Sequence, residues 1–191
     1  MSDKMAGNSS SGGRQPERRG NVVLIGFMGT GKSSVGRRVA DSLGFTYVDT
    51  DQIVVDLTGK PIPRLFAEEG EETFRRWETE ALRQCAASER QVIATGGGIV
   101  TQPRNHEILR EAGYVIWLRA TPERIYDRVA RNTDRPLLQT ADPLATIRDL
   151  LASREALYRA CANEAVDTTD LTLEETAYGI AESARLALHG T

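Results

Sequence analysis

From residue 21 onward the chain alternates between short apolar runs and longer segments in which apolar residues recur at three- and four-residue steps. The short runs, at 22–27, 45–48, 92–94, 114–118 and 165–166, read as strands buried on both sides, because little polar alternation is left to give them a wet face. The longer segments, at about 33–43, 51–58, 72–87, 104–112, 122–131, 143–162 and 173–188, read as amphipathic helices. Strands and helices in alternation make βαβ units. The expected fold is α/β, a five-stranded parallel sheet with helices on both faces.

Two stretches break the rhythm. Residues 1–20 are rich in Gly, Ser, Asn and Arg and have little to bury, so burial cannot offset the entropy of ordering them; a flexible tail is expected there. Residues 131–143 are polar, contain Pro136 and Pro143, and lie between two strong helical patterns, which predicts a mobile surface loop. The remainder, 21–191, is expected to form a single domain, since a domain takes roughly 100–200 residues.

Composition narrows the functional classes. The chain has 191 residues, 40% hydrophobic and 27% charged, the balance of an ordinary globular protein. A formal net charge of −3 argues against a nucleic-acid binder held by phosphate neutralisation. No run approaches the ~18 consecutive apolar residues of a membrane span, and the first twenty residues contain no apolar signal core, so no membrane partner and a cytoplasmic location are expected. Cys85 and Cys161 lack metal-ligand spacing and are too few for a disulfide framework, which leaves buried free thiols.

The strongest motif is Gly26-Phe27-Met28-Gly29-Thr30-Gly31-Lys32-Ser33, which fits G-x-x-x-x-G-K-[ST] between a predicted strand and a predicted helix. Glycines there let successive N–H groups turn inward as a nest for phosphate oxygens at the positive end of the helix. Lys32 supplies charge at the β- and γ-phosphates and the Ser33 hydroxyl can ligate Mg²⁺. The expected nucleotide-binding set is Gly29, Thr30, Gly31, Lys32, Ser33 and Ser34. Such a loop alone fits GTPases, ATPases, motors and small-molecule kinases, so the choice rests on the rest of the chain.

Asp49 and Asp51 stand just past the second predicted strand. Residues i and i+2 of an extended segment face the same side, so both carboxylates can point at the carboxyl edge of the sheet, where open α/β sheets bind ligands. One would hold the water shell of a metal and the other would orient an attacking hydroxyl; helix N-capping by Asp51 or an adjacent Asp is the plain structural alternative. Arg75 and Glu78 are three apart on a predicted helix, so Glu78 can fix the Arg75 guanidinium as a fork for a carboxylate. Glu68, Glu69, Glu71 and Glu72 read as a solvated helix start. Gly96-Gly97-Gly98 follows the strand at 92–94 and leaves backbone N–H groups bare at the same edge as the phosphate loop.

Taken in order, these elements resemble the shikimate kinase family of P-loop small-molecule kinases. The likeness runs over about residues 22–180: GFMGTGKSSVGRRVA at the loop, DTD at 49–51, IPRLFAEEGEETFRRWE at 62–78, TGGG at 95–98, YVIWL at 114–118, RPLL at 135–138, SREALY at 153–158 and VDTTDLTLEE at 166–175. The resemblance implies ATP-dependent phosphorylation of the shikimate 3-hydroxyl, with Mg²⁺ as cofactor and ATP as co-substrate, in aromatic amino-acid biosynthesis. It implies Asp51, Lys32 and Arg135 as catalytic residues, and Asp51, Arg75, Gly97, Gly98 and Arg154 as the shikimate set, with the substrate carboxylate between the two arginines. It gives Ser33 and Asp49 to the metal, an acceptor-binding part at about 51–83, and a lid at about 131–143. Arg135 on the lid would reach over the phosphates, with either Arg128 or Arg131 as its partner near the nucleotide. Thr172-Leu173-Glu174 stands where the family often carries a proline, beside the expected base loop. A monomer is expected, with shikimate and ATP as its partners.

Two other readings compete: a P-loop kinase for another polyol such as gluconate, and a regulatory module that keeps the fold without catalysis. Arg75, Arg154 and the glycine triplet favour shikimate; Lys32, Ser33, Asp51 and Arg135 together favour an enzyme. His106 and His189 are expected in exposed helix or tail with no acid–base role, and Trp77 and Trp117 in core packing.

Overall fold

The computed structural model describes residues 20–130 and 140–189. Most of the expected tail, and loop residues 131–139 with Arg131 and Arg135, lie outside the described residues. The elements run β1 (Asn21–Ile25), α1 (Lys32–Leu43), β2 (Thr46–Asp49), α2 (Thr50–Thr58), α3 (Ile62–Ala86), β3 (Gln91–Ala94), a 3-10 turn (Ile99–Thr101), α4 (Pro103–Ala112), β4 (Gly113–Arg119), α5 (Pro122–Val129), α6 (Pro143–Cys161), β5 (Glu164–Asp167) and α7 (Leu173–His189).

The five strands form one sheet in the order β2-β3-β1-β4-β5, every neighbouring pair parallel. β1 is buried along its whole length, which explains why its sequence shows no polar alternation. Its side chains nevertheless go to opposite faces. Val23 and Ile25 join Ile93, Val115 and Trp117 in a core closed by Leu82, Leu109 and Tyr158 from α3, α4 and α6. Val22 and Leu24 join Val92, Ile116 and Leu118 in a second core under Val35 and Val39 of α1 and Ile180 and Ala184 of α7.

The register sets up the site. Leu24 pairs with Ala94, and Asp49 pairs with the same Ala94, so β1, β2 and β3 end level with one another. The segments leaving them, starting at residues 26, 50 and 95, therefore emerge side by side. From β1 the neighbours β3 and β4 lie in opposite directions, the kind of point at which open α/β sheets bind ligands.

The sequence reading of α3 needs correcting. The helix expected at about 72–87 is the part of α3 that follows a break at Gly70 (φ 80°, ψ 172°), and the helical segment before that break, from Ile62 with Pro63 in its first turn, is additional to it. The glycine resets the helical phase, so the apolar repeat of 62–69 does not continue the repeat after 71. Glu68 and Glu69 consequently lie in a helical turn of their own and pair with Lys60 at 3.0 and 2.6 Å, and they do not open a helix.

Candidate active site

The phosphate loop leaves β1 and closes on itself. The Lys32 ammonium donates to the carbonyls of Gly26 (2.8 Å) and Phe27 (2.9 Å), and the Thr30 hydroxyl donates to Phe27 O (2.8 Å). Gly29 and Gly31 hold positive φ angles of 76° and 95°, and Gly31 is the residue from which α1 starts. Ser33 and Ser34, on the first turn of α1, are exposed toward a cavity of about 530 Å³. This cavity runs from the loop past Asp49, Asp51 and Gly96 to Thr168 and the start of α7.

At the end of β2 the two aspartates divide their work. Asp49 caps α2: its Oδ1 accepts the backbone N–H of Asp51 (3.1 Å), so the capping role falls to Asp49 and Asp51 sits in the first turn. Asp49 Oδ2 accepts from the Tyr47 hydroxyl (2.9 Å) and from Ser33 Oγ (3.3 Å). Asp51 is half-buried, and its Oδ1 lies so close to Gly96 that a Cβ there would approach it to 2.9 Å.

Beyond β3 the glycines are hemmed in from all sides. Thr50 Oγ1 accepts the Gly96 N–H (3.1 Å). The Gly97 carbonyl accepts from Tyr158 OH (2.5 Å) and from Arg154 Nη1 (3.3 Å), the two being one turn apart on α6. Burial pushes the Tyr158 phenol up to about 12, which keeps it a proton donor at any working pH. Gly97 also abuts the phosphate loop, since a Cβ on it would lie 3.2 Å from the Met28 nitrogen. The Arg75 guanidinium fills the space where Gly98 would carry a Cβ, and Glu78 fills the space beside Gly96.

Arg75 itself is gripped on two sides. Its Nη1 donates to Glu78 Oε2 (2.7 Å), while Nε and Nη2 donate to Glu71 Oε1 (3.2 and 3.0 Å). Glu71, expected as a solvated helix start, is therefore bound to the site. Burial raises the Glu78 carboxyl above the ordinary glutamate value, against the lowering pull of Arg75.

Arg128 lines the cavity and ties its two ends together, donating to Gly29 O (3.3 Å), Thr168 Oγ1 (3.2 Å) and Thr168 O (2.8 Å). Thr172 opens α7 with a reciprocal cap: Glu175 N donates to its Oγ1 (3.2 Å), and its own N–H donates to Glu175 Oε2 (2.9 Å). A cap thus occupies the stretch that departs from the family's proline.

The structure brings together Asp51, Arg75, Gly97, Gly98 and Arg154 on one side and Gly29, Thr30, Gly31, Lys32, Ser33, Ser34 and Asp49 on the other; Arg135 lies outside the described residues. Sequence reasoning missed Tyr158, Tyr47 and Thr50, whose signals were their spacing of four, two and one from Arg154, Asp49 and Asp51. His106, expected to be exposed, is half-buried with Nε2 2.7 Å from Val100 O, and it lies away from the cavity. Trp117 is core, stacked on Tyr158 at 5.6 Å, and Trp77 packs against the cluster of Val54, Leu65 and Phe74.

Comparison with known proteins agrees with the geometry. A family model described as shikimate kinase matches residues 28–185. A shikimate kinase of Symbiobacterium thermophilum is 46% identical over 165 residues, 85% of this chain and 94% of that protein, and one of Caldanaerobacter subterraneus is 45% identical over 157 residues, 82% and 91%. The solved shikimate kinase of Acinetobacter baumannii, in complex with shikimate, superposes with a TM-score of 0.82 at 38% identity, covering 88% of this chain and 93% of that one. A gluconokinase of Sinorhizobium meliloti, at 21% identity, 91% and 97% coverage and a TM-score of 0.62, shares the fold alone.

The parallel sheet, with the phosphate loop at its carboxyl edge, and the likeness to solved shikimate kinases define a P-loop kinase. The chain belongs to the shikimate kinase family. Its activity is the ATP-dependent phosphorylation of shikimate in aromatic amino-acid biosynthesis, which removes both the gluconate kinase and the catalytically silent module as readings.

Proposed function

We propose that ATP lies over the phosphate loop, with shikimate between Asp51, Arg75, Arg154 and the backbone of Gly97 and Gly98, and that the γ-phosphoryl passes to the 3-hydroxyl. The observation that carries this is the shared wall: the loop holding Lys32 lines one cavity with Asp51, Gly96 and Gly97, and a Cβ on Gly97 would lie 3.2 Å from the Met28 nitrogen.

The acceptor pocket is built for a carboxylate and hydroxyls. Each Nη of Arg75 carries two hydrogens. Glu71 and Glu78 take one from each, which leaves a second hydrogen on each Nη for a carboxylate, with Arg154 as the other arginine of the set. Asp51 accepts a hydrogen bond from the 3-hydroxyl, holding the oxygen in line with the γ-phosphorus. The new O–P bond forms as the bond to the β–γ bridging oxygen breaks; ADP leaves, and Asp51 accepts the hydroxyl proton. The transition state is loose, so positioning and charge count for more than basicity, and a carboxylate is strong enough as base.

Mg²⁺ fits the donors at the phosphate end: Ser33 Oγ and Asp49 Oδ2 are hard oxygens 3.3 Å apart beside the loop. Ser33 would ligate it directly and Asp49 through water. Bound there, the ion neutralises charge on the β- and γ-oxygens. Lys32 leaves its contacts with Gly26 and Phe27 to meet the same oxygens, and Arg128 faces the nucleotide from the far wall. On this reading about 51–83 forms the acceptor part of a single domain at 21–191, while the lid expected at about 131–143, with Arg135, lies for the most part outside the described residues.

We also read the protein as a cytoplasmic monomer that binds no nucleic acid. The net charge is −3, and Cys85 and Cys161 are free buried thiols, as in a reducing compartment. No helix among the described residues is long and apolar enough to cross a membrane.

The test is a coupled ADP-release assay with shikimate, gluconate and nucleoside monophosphates, with the product's phosphate position read by ³¹P NMR. Release with shikimate alone, giving the 3-phosphate, is expected. Equal release with gluconate or a nucleoside monophosphate would overturn the acceptor assignment.

A further inference from the structure

The metal arm of the site contains a residue that neither the phosphate-loop motif nor the paired aspartates account for. Tyr47 and Asp49 are two apart on β2 and face the same side, while Val48 between them packs into the opposite core. The Tyr47 hydroxyl donates to Asp49 Oδ2 at 2.9 Å, the same oxygen that Ser33 Oγ reaches at 3.3 Å. The other oxygen, Oδ1, is held by the Asp51 N–H.

The ring is itself locked. It lies against Gly36 of α1, where a Cβ would come within 2.9 Å of its Cε2, and the Arg37 guanidinium stacks over it at 4.6 Å from the centroid. The hydroxyl is thus delivered to Asp49 by a side chain packed between Gly36 of α1 and the Arg37 guanidinium.

We infer that Tyr47 is a positioning residue for the divalent cation: its hydroxyl holds the Asp49 carboxylate in the orientation that receives the water shell of the ion. The inference rests on the reading of Asp49 as the outer ligand of Mg²⁺. A Ser33 hydroxyl that ligated the ion would use an oxygen lone pair and keep its proton for Oδ2, so Tyr47 supplies the second and shorter hydrogen bond to that oxygen and would restrain the carboxylate from rotating about its capped Oδ1. Groups that orient metal ligands in this way are commonly worth about 10–100-fold in metal affinity. The lower end is expected here, because the carboxylate acts through water.

The experiment uses the full chain with ADP and follows Mn²⁺ binding by electron paramagnetic resonance. Shikimate binding is followed in parallel by calorimetry. Tyr47→Phe, which keeps the ring between Gly36 and Arg37, should weaken Mn²⁺ by about tenfold and leave the shikimate constant in place. Asp49→Asn keeps a helix-capping side chain and removes the charge; it should also weaken Mn²⁺, and adding Tyr47→Phe to it should change little further.

Unaltered Mn²⁺ binding in Tyr47→Phe, with Asp49→Asn impaired, would overturn the role of Tyr47 alone. Parallel weakening of Mn²⁺ and shikimate would mean a general packing role and would overturn it as well. Unaltered Mn²⁺ binding in Asp49→Asn would instead overturn the metal reading of Asp49.

Discussion

Arg75 Nη1 stands 2.7 Å from Glu78 Oε2, one turn further along α3, and both side chains are almost fully buried, at 11% and 1% exposure. A buried pair of this kind is a poor source of net stability, because desolvation offsets much of the attraction, yet losing one partner strands the other charge. Its value lies in aim. With Glu71 on the opposite edge, the pair fixes which hydrogens of the guanidinium point into the pocket.

Removing Glu78 should therefore cost both stability and substrate binding. Glu78→Ala is expected to lower stability by about 3–5 kcal/mol, since it leaves Arg75 buried with only the exposed Glu71 as a charged partner. The shikimate KM should rise while the ATP KM holds. Thermal unfolding and steady-state kinetics together check this; an unchanged melting temperature with an unchanged shikimate KM would contradict it.

The same residue predicts a pH effect of known sign. Burial raises the Glu78 carboxyl; Arg75, the neighbouring Asp51 carboxylate and Arg154 are the charges facing it. The folded protein thus binds this proton more tightly than the unfolded chain does. The contribution to stability is fully present below the unfolded value and is lost as pH rises through the folded one. For binding the sense is opposite, because protonation removes the charge that anchors Arg75. The shikimate KM should climb as pH is lowered toward the raised Glu78 value, and Glu78→Gln should flatten that climb. A profile identical in both proteins would refute it.

Gly98→Ala tests the packing of the guanidinium on the backbone. A methyl group at residue 98 would occupy the space of Nη1, Nη2 and Cζ of Arg75, and Glu78 and Glu71 hold that side chain too firmly for it to step aside freely. A misplacement of about 1 Å is enough to lower kcat/KM for shikimate by roughly 10²-fold. The binding constant for ADP, set at the phosphate loop, should stay put. Wild-type kcat/KM in this variant would mean that the fork does not depend on the glycine.

Asp51→Asn tests the acceptor step. The amide is close to the carboxylate in shape and its oxygen can still accept a hydrogen bond, but it carries no charge and cannot take up the hydroxyl proton, so kcat should fall by about 10²–10⁴-fold. Asp49 would still cap α2, and nucleotide affinity measured by calorimetry should be retained. Near-normal turnover would remove Asp51 from the chemistry.

Much of this architecture could be read along the chain, for local reasons. A strand buried on both faces must be apolar throughout, so β1 and β4 stood out as runs. The phosphate loop is contiguous, since its nest is made by successive backbone amides. Arg75 and Glu78 are neighbours on one helix, so their pairing follows from spacing alone. The start of α3 was hidden because Gly70 breaks the repeat that pattern reading depends on. The choice of Asp49 over Asp51 as the cap was hidden because both are aspartates and cap equally well, and only the backbone at residue 49, extended at φ −120°, distinguishes them.

The order of residues was sufficient to specify the parts: five strands, a phosphate cradle, an arginine with its carboxylate partner, and a row of glycines. Which parts face each other came from packing. Gly97 meets Tyr158, 61 positions away, and Arg128 meets Gly29 across 99, because parallel pairing of β1 with β3 and β4 stacks distant loops on one edge. Contacts of that range leave no periodic trace in a sequence, since their geometry depends on strand register and not on spacing along the chain.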